Sequence, residues 1–264
     1  MTVGISSASP ATKGVSDMVG NLLLRGMLAG LIAGVLVFAF AHIFGEPLVD
    51  QAIAFEEAAA QAAGEAGEPE IVSRATQAGI GLFTGVMAYS IAVGGLFALV
   101  FAFVQGRFSN LGARGTSAVI AIAAFVAVVI VPSIKYPANP PAVGNPDTIG
   151  IRTELFFLMI VVSIAALVAA IAFARRLTPR FGVWNSAIAA GLAYVAFVGL
   201  VQYLLPPINE VPENYSAMVL WRFRTTSIGM HVILWGVLGM AFGALAERKL
   251  GVAAKLRGRA PAFH

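Results

Sequence analysis

Long apolar runs alternate with short polar stretches along the whole chain. A run of about 20 mostly apolar residues spans the ~30 Å hydrocarbon core of a bilayer as a helix, at about 1.5 Å per residue. Six runs reach that length: residues 26–44, 78–104, 116–134 with Pro132 near the end, 155–174, 183–205 and 225–246. Apolar residues cover each run on all faces, which predicts lipid-embedded helices rather than amphipathic surface ones. The expected fold class is an all-α integral membrane protein, a bundle of six transmembrane helices. A polar N-terminal tail (1–21) would precede the transmembrane domain (22–246), and a basic tail (247–264) would follow it. Arg25, the run behind it and Ala39-Phe40-Ala41 also fit a cleaved signal peptide. The run continues to Phe44 with no polar region before that site, which favours a retained span.

Composition agrees. Of 264 residues, 59% are apolar and 11% charged, with mean hydropathy +0.86. A soluble domain carries roughly 25% charged residues. There is no cysteine, so disulfides, thiolate catalysis and iron–sulfur sites are excluded.

The charges sort by loop. With the N-terminus inside, segments 1–25, 105–115, 175–182 and 247–264 are cytoplasmic. They hold twelve of the seventeen bases and, of the acids, Asp17 and Glu247. The other loops hold Arg74, Lys135, Arg152, Arg222, Arg224 and the remaining eleven acids. That satisfies the positive-inside rule and predicts both termini in the cytoplasm. The net charge of +4 is then the difference between a basic inner side and an acidic outer side, and no nucleic-acid partner is implied.

Gly26, Gly30 and Gly34, and the pairs Gly81/Gly85 and Gly239/Gly243, have the four-residue spacing that lets helix backbones approach in lipid. Internal packing is the ordinary reading of such glycines, and a partner helix the alternative. Among the outer segments, 45–77 is acidic, with Glu46, Asp50, Glu56, Glu57, Glu65, Glu68 and Glu70. Ala58–Ala63 predicts a helix that Gly64 ends. Segment 132–154 carries five prolines, so a stiff loop is expected in which Asp147 caps the next helix. Lys135, Tyr136, Asn139 and Arg152 would line a vestibule there or belong to a structural plug. Segment 206–224 ends in Trp221-Arg222-Phe223-Arg224, whose arginines are expected to pair with outer acids.

Three segments carry a family resemblance: Gly45-Glu46-Pro47; Lys135-Tyr136-Pro137-Ala138-Asn139-Pro140-Pro141-Ala142-Val143-Gly144; and Asn209-Glu210-Val211-Pro212 with Trp221-Arg222-Phe223-Arg224. Together with the span count they resemble the CbtA family, the larger membrane subunit of a predicted cobalt transporter. The resemblance implies cobalt uptake across a bacterial inner membrane. It also implies a small partner subunit, CbtB-like, with one helix and a histidine-bearing terminus. It supplies no ligand set.

The residues themselves offer a candidate metal site. His42 and His231 are the ionisable groups inside the spans, and such groups are costly to bury without a use. His42, Glu46 and Asp50 recur every four residues on one face of a continuing helix. Imidazole with carboxylate suits Co²⁺, Ni²⁺ or Zn²⁺ as a transported substrate, with no resident cofactor. His231 would complete the site if spans one and six pack together. The ordinary alternative is a neutral imidazole bonded to a backbone carbonyl. Met87, Met230 and Met240 read as packing, and Asn185, Tyr194 and Gln202 as polar groups of a pathway. No Walker loop, zinc-protease or nucleophile-elbow motif is present. Nor does any Asp or Glu lie deep in a span. The expectation is a non-enzymatic permease for a divalent transition metal. A membrane-embedded enzyme using the outer carboxylates, and a scaffold for the small partner, are the alternatives.

Overall fold

The computed structural model describes residues 10–64, 71–107, 111–141 and 143–257, with side chains described from Met18 and omitted at 249 and 252–257. Among these the fold is helical, without a strand. Five helices are long and apolar enough to cross a membrane. They are α1 (Met18–Ala63), α2 (Arg74–Val104), α3 (Ala113–Lys135), α4 (Pro146–Leu204) and α5 (Ala217–Arg248). Large apolar side chains such as Leu96, Val161 and Leu192 stand exposed on them, as lipid-facing positions do.

Helix α1 runs well past the apolar span and ends where Gly64 takes φ 74°, the left-handed closure expected of it. Glu65, Glu68 and Glu70 lie outside the described residues, as do Ala142 and residues 1–9 and 258–264. Four helices contain a π turn: Ala41–Gly45 in α1, Gln77–Gly81 in α2, Phe125–Ile130 in α3 and Leu238–Phe242 in α5. Such turns insert a residue and re-aim the side chains around them.

Helix α4 corrects one expectation. Of residues 175–182, read as a loop, 175–181 are helical, and Arg175, Arg176 and Arg180 lie within them. The apolar stretches 155–174 and 183–205 therefore share one 59-residue element, broken at Gly182 by φ 74° and ψ 167°. The break reverses the chain. Unbroken helix from Ser163 to Tyr194 would span ~46 Å at 1.5 Å per residue. Their hydroxyls instead lie 2.7 Å apart in a hydrogen bond. A residue with a Cβ takes this left-handed conformation only with strain. The cap is a second correction. Asn145, not Asp147, caps α4: its Oδ1 accepts from the Asp147 backbone N–H at 2.9 Å, and Pro146 takes the first turn.

The chain divides into two compact units. The first comprises Met1–Ala39, Arg74–Ile122 and Val232–His264. It is packed through small residues. A Cβ placed on Gly26 would stand 2.2 Å from the Gly94 carbonyl oxygen, and one on Gly30 2.2 Å from that of Ser90. Gly239 and Gly243 likewise admit Ala121 and Arg114 of α3. These glycines pack the chain internally, whereas nothing lies within 4 Å of a Cβ on Gly85. Met87, buried against Gly34, is a packing residue. Phe97, Phe101 and Phe242 close the interior edge to face, and Arg25 Nη1 donates to the Leu245 carbonyl at 2.6 Å.

The second unit comprises Phe40–Ser73 and Ala123–His231. One apolar cluster is built on Val131, Tyr136, Met159, Ala166 and Val198; another joins Ala52, Val143 and Tyr215. Phe55 meets the Tyr215 ring edge to face at 5.0 Å. The polar groups named for a pathway are engaged structurally. Gln202 donates to the Val131 carbonyl, Tyr194 bonds Ser163, and Asn185 donates to the Phe181 carbonyl.

Candidate functional site

The stiff segment after α3 and the segment between α4 and α5 meet in the second unit around one carboxylate. Glu210 is the centre, with its side chain 1% exposed. A lone buried carboxylate is costly, so its oxygens must be satisfied. Thr148 donates to Oε1 at 2.9 Å and Asn139 Nδ2 to Oε2 at 3.4 Å. Arg152 Nε lies 3.5 Å from Oε2, its side chain 16% exposed. The Arg152 guanidinium also donates to the Pro137 carbonyl. Arg224 donates to the Ala138 carbonyl at 3.2 Å and to Asn139 Oδ1 at 3.0 Å. Prolines leave their neighbours' carbonyls without helical partners, and the two arginines supply donors to them.

This corrects the expected pairing of Arg224 with an acid, because its acceptors are neutral. Arg222 is exposed. Tyr136 is sealed under the same loop, and its hydroxyl donates to the Pro206 carbonyl at 2.9 Å. Burial pushes the Tyr136 and Tyr215 phenols above their ordinary range.

Beside the network lies a cavity of about 270 Å³. Its polar lining comes from Ser133 and Tyr136, from Arg152 and Thr153 on α4, and from Ser227 and His231 on α5. Val129, in the π turn of α3, forms part of its apolar wall. Of the four residues named from the stiff loop, Tyr136 and Arg152 line the cavity, Asn139 supports Glu210, and Lys135 ends α3.

The four candidate metal residues all fall in this unit. His42 lies in the π turn of α1 and is exposed, Glu46 is half-buried at the next turn, and Asp50 is exposed. The part of α1 that carries them packs on α5. A Cβ on Gly229 would stand 3.0 Å from the Phe40 ring, and one on Gly45 4.0 Å from Thr226. His231 is half-buried and faces the cavity. Among the described residues, no three His, Asp or Glu side chains gather as a metal cage.

Sequence reasoning missed Ser133, Thr148 and Ser227. A hydroxyl in an apolar helix ordinarily bonds its own backbone and gives no signal. Glu210 stood in a motif but without a role.

Comparison with known proteins bears on what such a chain is for. Nothing among the curated proteins or the solved structures matches it. Residues 19–247 match the family model CbtA, described as a probable cobalt transporter subunit, and the chain belongs to that family.

Proposed function

We propose that this chain is the membrane-embedded subunit through which a divalent transition metal, cobalt, enters the cell. The observation that carries the reading is the family match across nearly the whole chain. The long apolar helices and the loop charges support a six-crossing arrangement in an inner membrane, with each arm of α4 crossing once. Both termini then lie in the cytoplasm. The tails 1–21 and 247–264 flank the transmembrane domain 22–246. Acids of the outer loops concentrate the cation, and the membrane potential draws it inward by about 2.3 kcal/mol per charge per 100 mV.

In this proposal His42, Glu46 and Asp50 meet the ion first, and His231 joins them. The packing of Phe40 on Gly229 supports that pairing of α1 with α5. A site of few ligands suits a cargo ion, whose remaining positions water fills, better than a resident metal. A small one-helix subunit bearing histidines delivers or accepts the ion. The family's transport role speaks for a non-catalytic chain rather than an embedded enzyme.

Uptake of radioactive Co²⁺ into proteoliposomes, with and without the small subunit, tests this. Uptake should fall at least tenfold in the His42→Ala/Glu46→Ala double variant at equal incorporation. Unchanged uptake in that variant would remove the site. No uptake by either wild-type preparation would remove the transport reading in favour of an enzyme or scaffold.

A further inference from the structure

The cavity beside Glu210 has a lining that does not suit a bare cation. Glu210 does not line it. Both Glu210 oxygens are taken by Thr148, Asn139 and Arg152. What faces the cavity is Arg152, with no carboxylate among the lining residues. A guanidinium has five N–H donors. Here Nε is spent on Glu210 and one Nη2 hydrogen on Pro137. Three remain uncommitted among the described residues.

Three other lining side chains share that condition. Ser133, Ser227 and His231 are half-buried and make no hydrogen bond to another described residue. The other two polar groups are satisfied, Tyr136 by Pro206 and Thr153 by the Ile149 carbonyl. Buried polar groups are ordinarily paired, and a cluster left open toward one cavity marks a place where something else completes them. Charge narrows the occupant. Arg152 and Arg224 bond the adjacent carbonyls of Pro137 and Ala138, and one carboxylate, Glu210, joins them in the network. That leaves an excess of one positive charge in a half-buried setting, where Coulomb forces are weakly screened.

We infer that this cavity binds an anionic oxygen group, a phosphate or carboxylate, on the free Arg152 donors with the Ser133 and Ser227 hydroxyls and the His231 ring. Guanidinium with hydroxyls matches the geometry of such oxyanions. A volume of about 270 Å³ admits a small anion or a headgroup, and lies just under the ~300 Å³ at which drug-sized pockets begin. The anion comes from solution or from the phosphodiester of a lipid. The inference shares His231 with the metal reading but is tested separately, since its test contains no cobalt.

The full chain, purified in detergent, is titrated with inorganic phosphate, acetate and short-chain phosphatidylglycerol while heat of binding is followed. Saturable binding of phosphate or acetate identifies a soluble anion, and binding of the lipid alone identifies a headgroup. Either supports the site if the Ser133→Ala/Ser227→Ala variant binds at least tenfold more weakly. That variant keeps the Arg152–Glu210 pair, so its fold is not at risk; Arg152→Gln, which strands Glu210, should abolish binding wherever it folds. Absence of saturable binding by all three probes overturns the inference, leaving a cavity that water fills. So does binding that the serine variant retains in full.

Discussion

In the first unit, Gly26 meets Gly94 and Gly30 meets Ser90 with no room for a methyl group between the backbones. In the second, Glu210 is enclosed by an arginine, a threonine and an asparagine drawn from segments far apart in the chain. The first arrangement depends on shape. In lipid there is little hydrophobic gain from joining helices, so close backbone contact and its dispersion energy must serve. The second depends on directed polar bonds, which irregular backbone needs when it is buried. The difference separates packing from chemistry. Close packing leaves little room for a ligand, whereas a polar network has donors left over, and the cavity with its open hydroxyls lies beside the network.

The largest effect should come from striking the network at its centre. Glu210→Ala removes the charge that Arg152 was placed to meet and leaves a guanidinium 16% exposed without its partner. Breaking a buried pair on one side costs about 3–5 kcal/mol. Thermal unfolding in detergent should show it, with Glu210→Gln recovering part of the loss through its remaining acceptor. An unaltered transition in Glu210→Ala would mean that the loop is held by its apolar contacts alone.

A smaller loss is expected where shape governs. Gly30→Ala sets a methyl against the Ser90 carbonyl and should cost about 1–3 kcal/mol, the usual range for overpacking. Gly85→Ala, on the same helix as Ser90 but facing open space, should cost nothing and gain up to ~1 kcal/mol from helix propensity. The same measurement reads both. Equal behaviour of the two alanines would show that the four-residue spacing carries no packing information in this chain.

That contrast shows what was legible beforehand. Hydropathy marked the apolar stretches, because a helix in lipid needs a continuous run and nothing else competes with that signal. Spacing alone did not distinguish Gly30 from Gly85, since both look alike until the neighbouring helix is in place. Residues 175–182 read as a loop because they separate two apolar runs and carry three arginines, yet one glycine of positive φ reverses the chain between two helical arms. Asn145 was passed over for Asp147 as the cap because either type fits, and the choice falls to whichever side chain precedes the proline. For the site, Tyr136 and Arg152 were named from a proline-rich loop. Glu210, the partner of Arg152, was not, because no local pattern links residues brought together by the turns between α3, α4 and α5. The candidate ligands His42, Glu46 and Asp50 were visible as a spacing on one helix. The hydroxyls that line the cavity in the same unit, Ser133 and Ser227, carry no spacing at all.

The smallest effect tests the edge of the network. The Tyr136 hydroxyl donates to the Pro206 carbonyl under a nearly sealed surface. Tyr136→Phe keeps the ring and leaves that acceptor unmatched, a loss of about 1 kcal/mol. Its pH dependence reports the burial of the hydroxyl. Burial raises the phenol above its ordinary 10.0, so the folded chain holds this proton more tightly than the unfolded chain does. The contribution is therefore whole below about pH 10, and it declines as the pH climbs from there toward the folded value. Tyr215 is raised for the same reason but is present in both proteins, so its titration cancels when one curve is subtracted from the other. The stability gap between wild type and Tyr136→Phe should stay constant at neutral and mildly alkaline pH and narrow above about pH 10. A gap that does not change across that range would mean that the Tyr136 hydroxyl is not shut away from water in the folded chain.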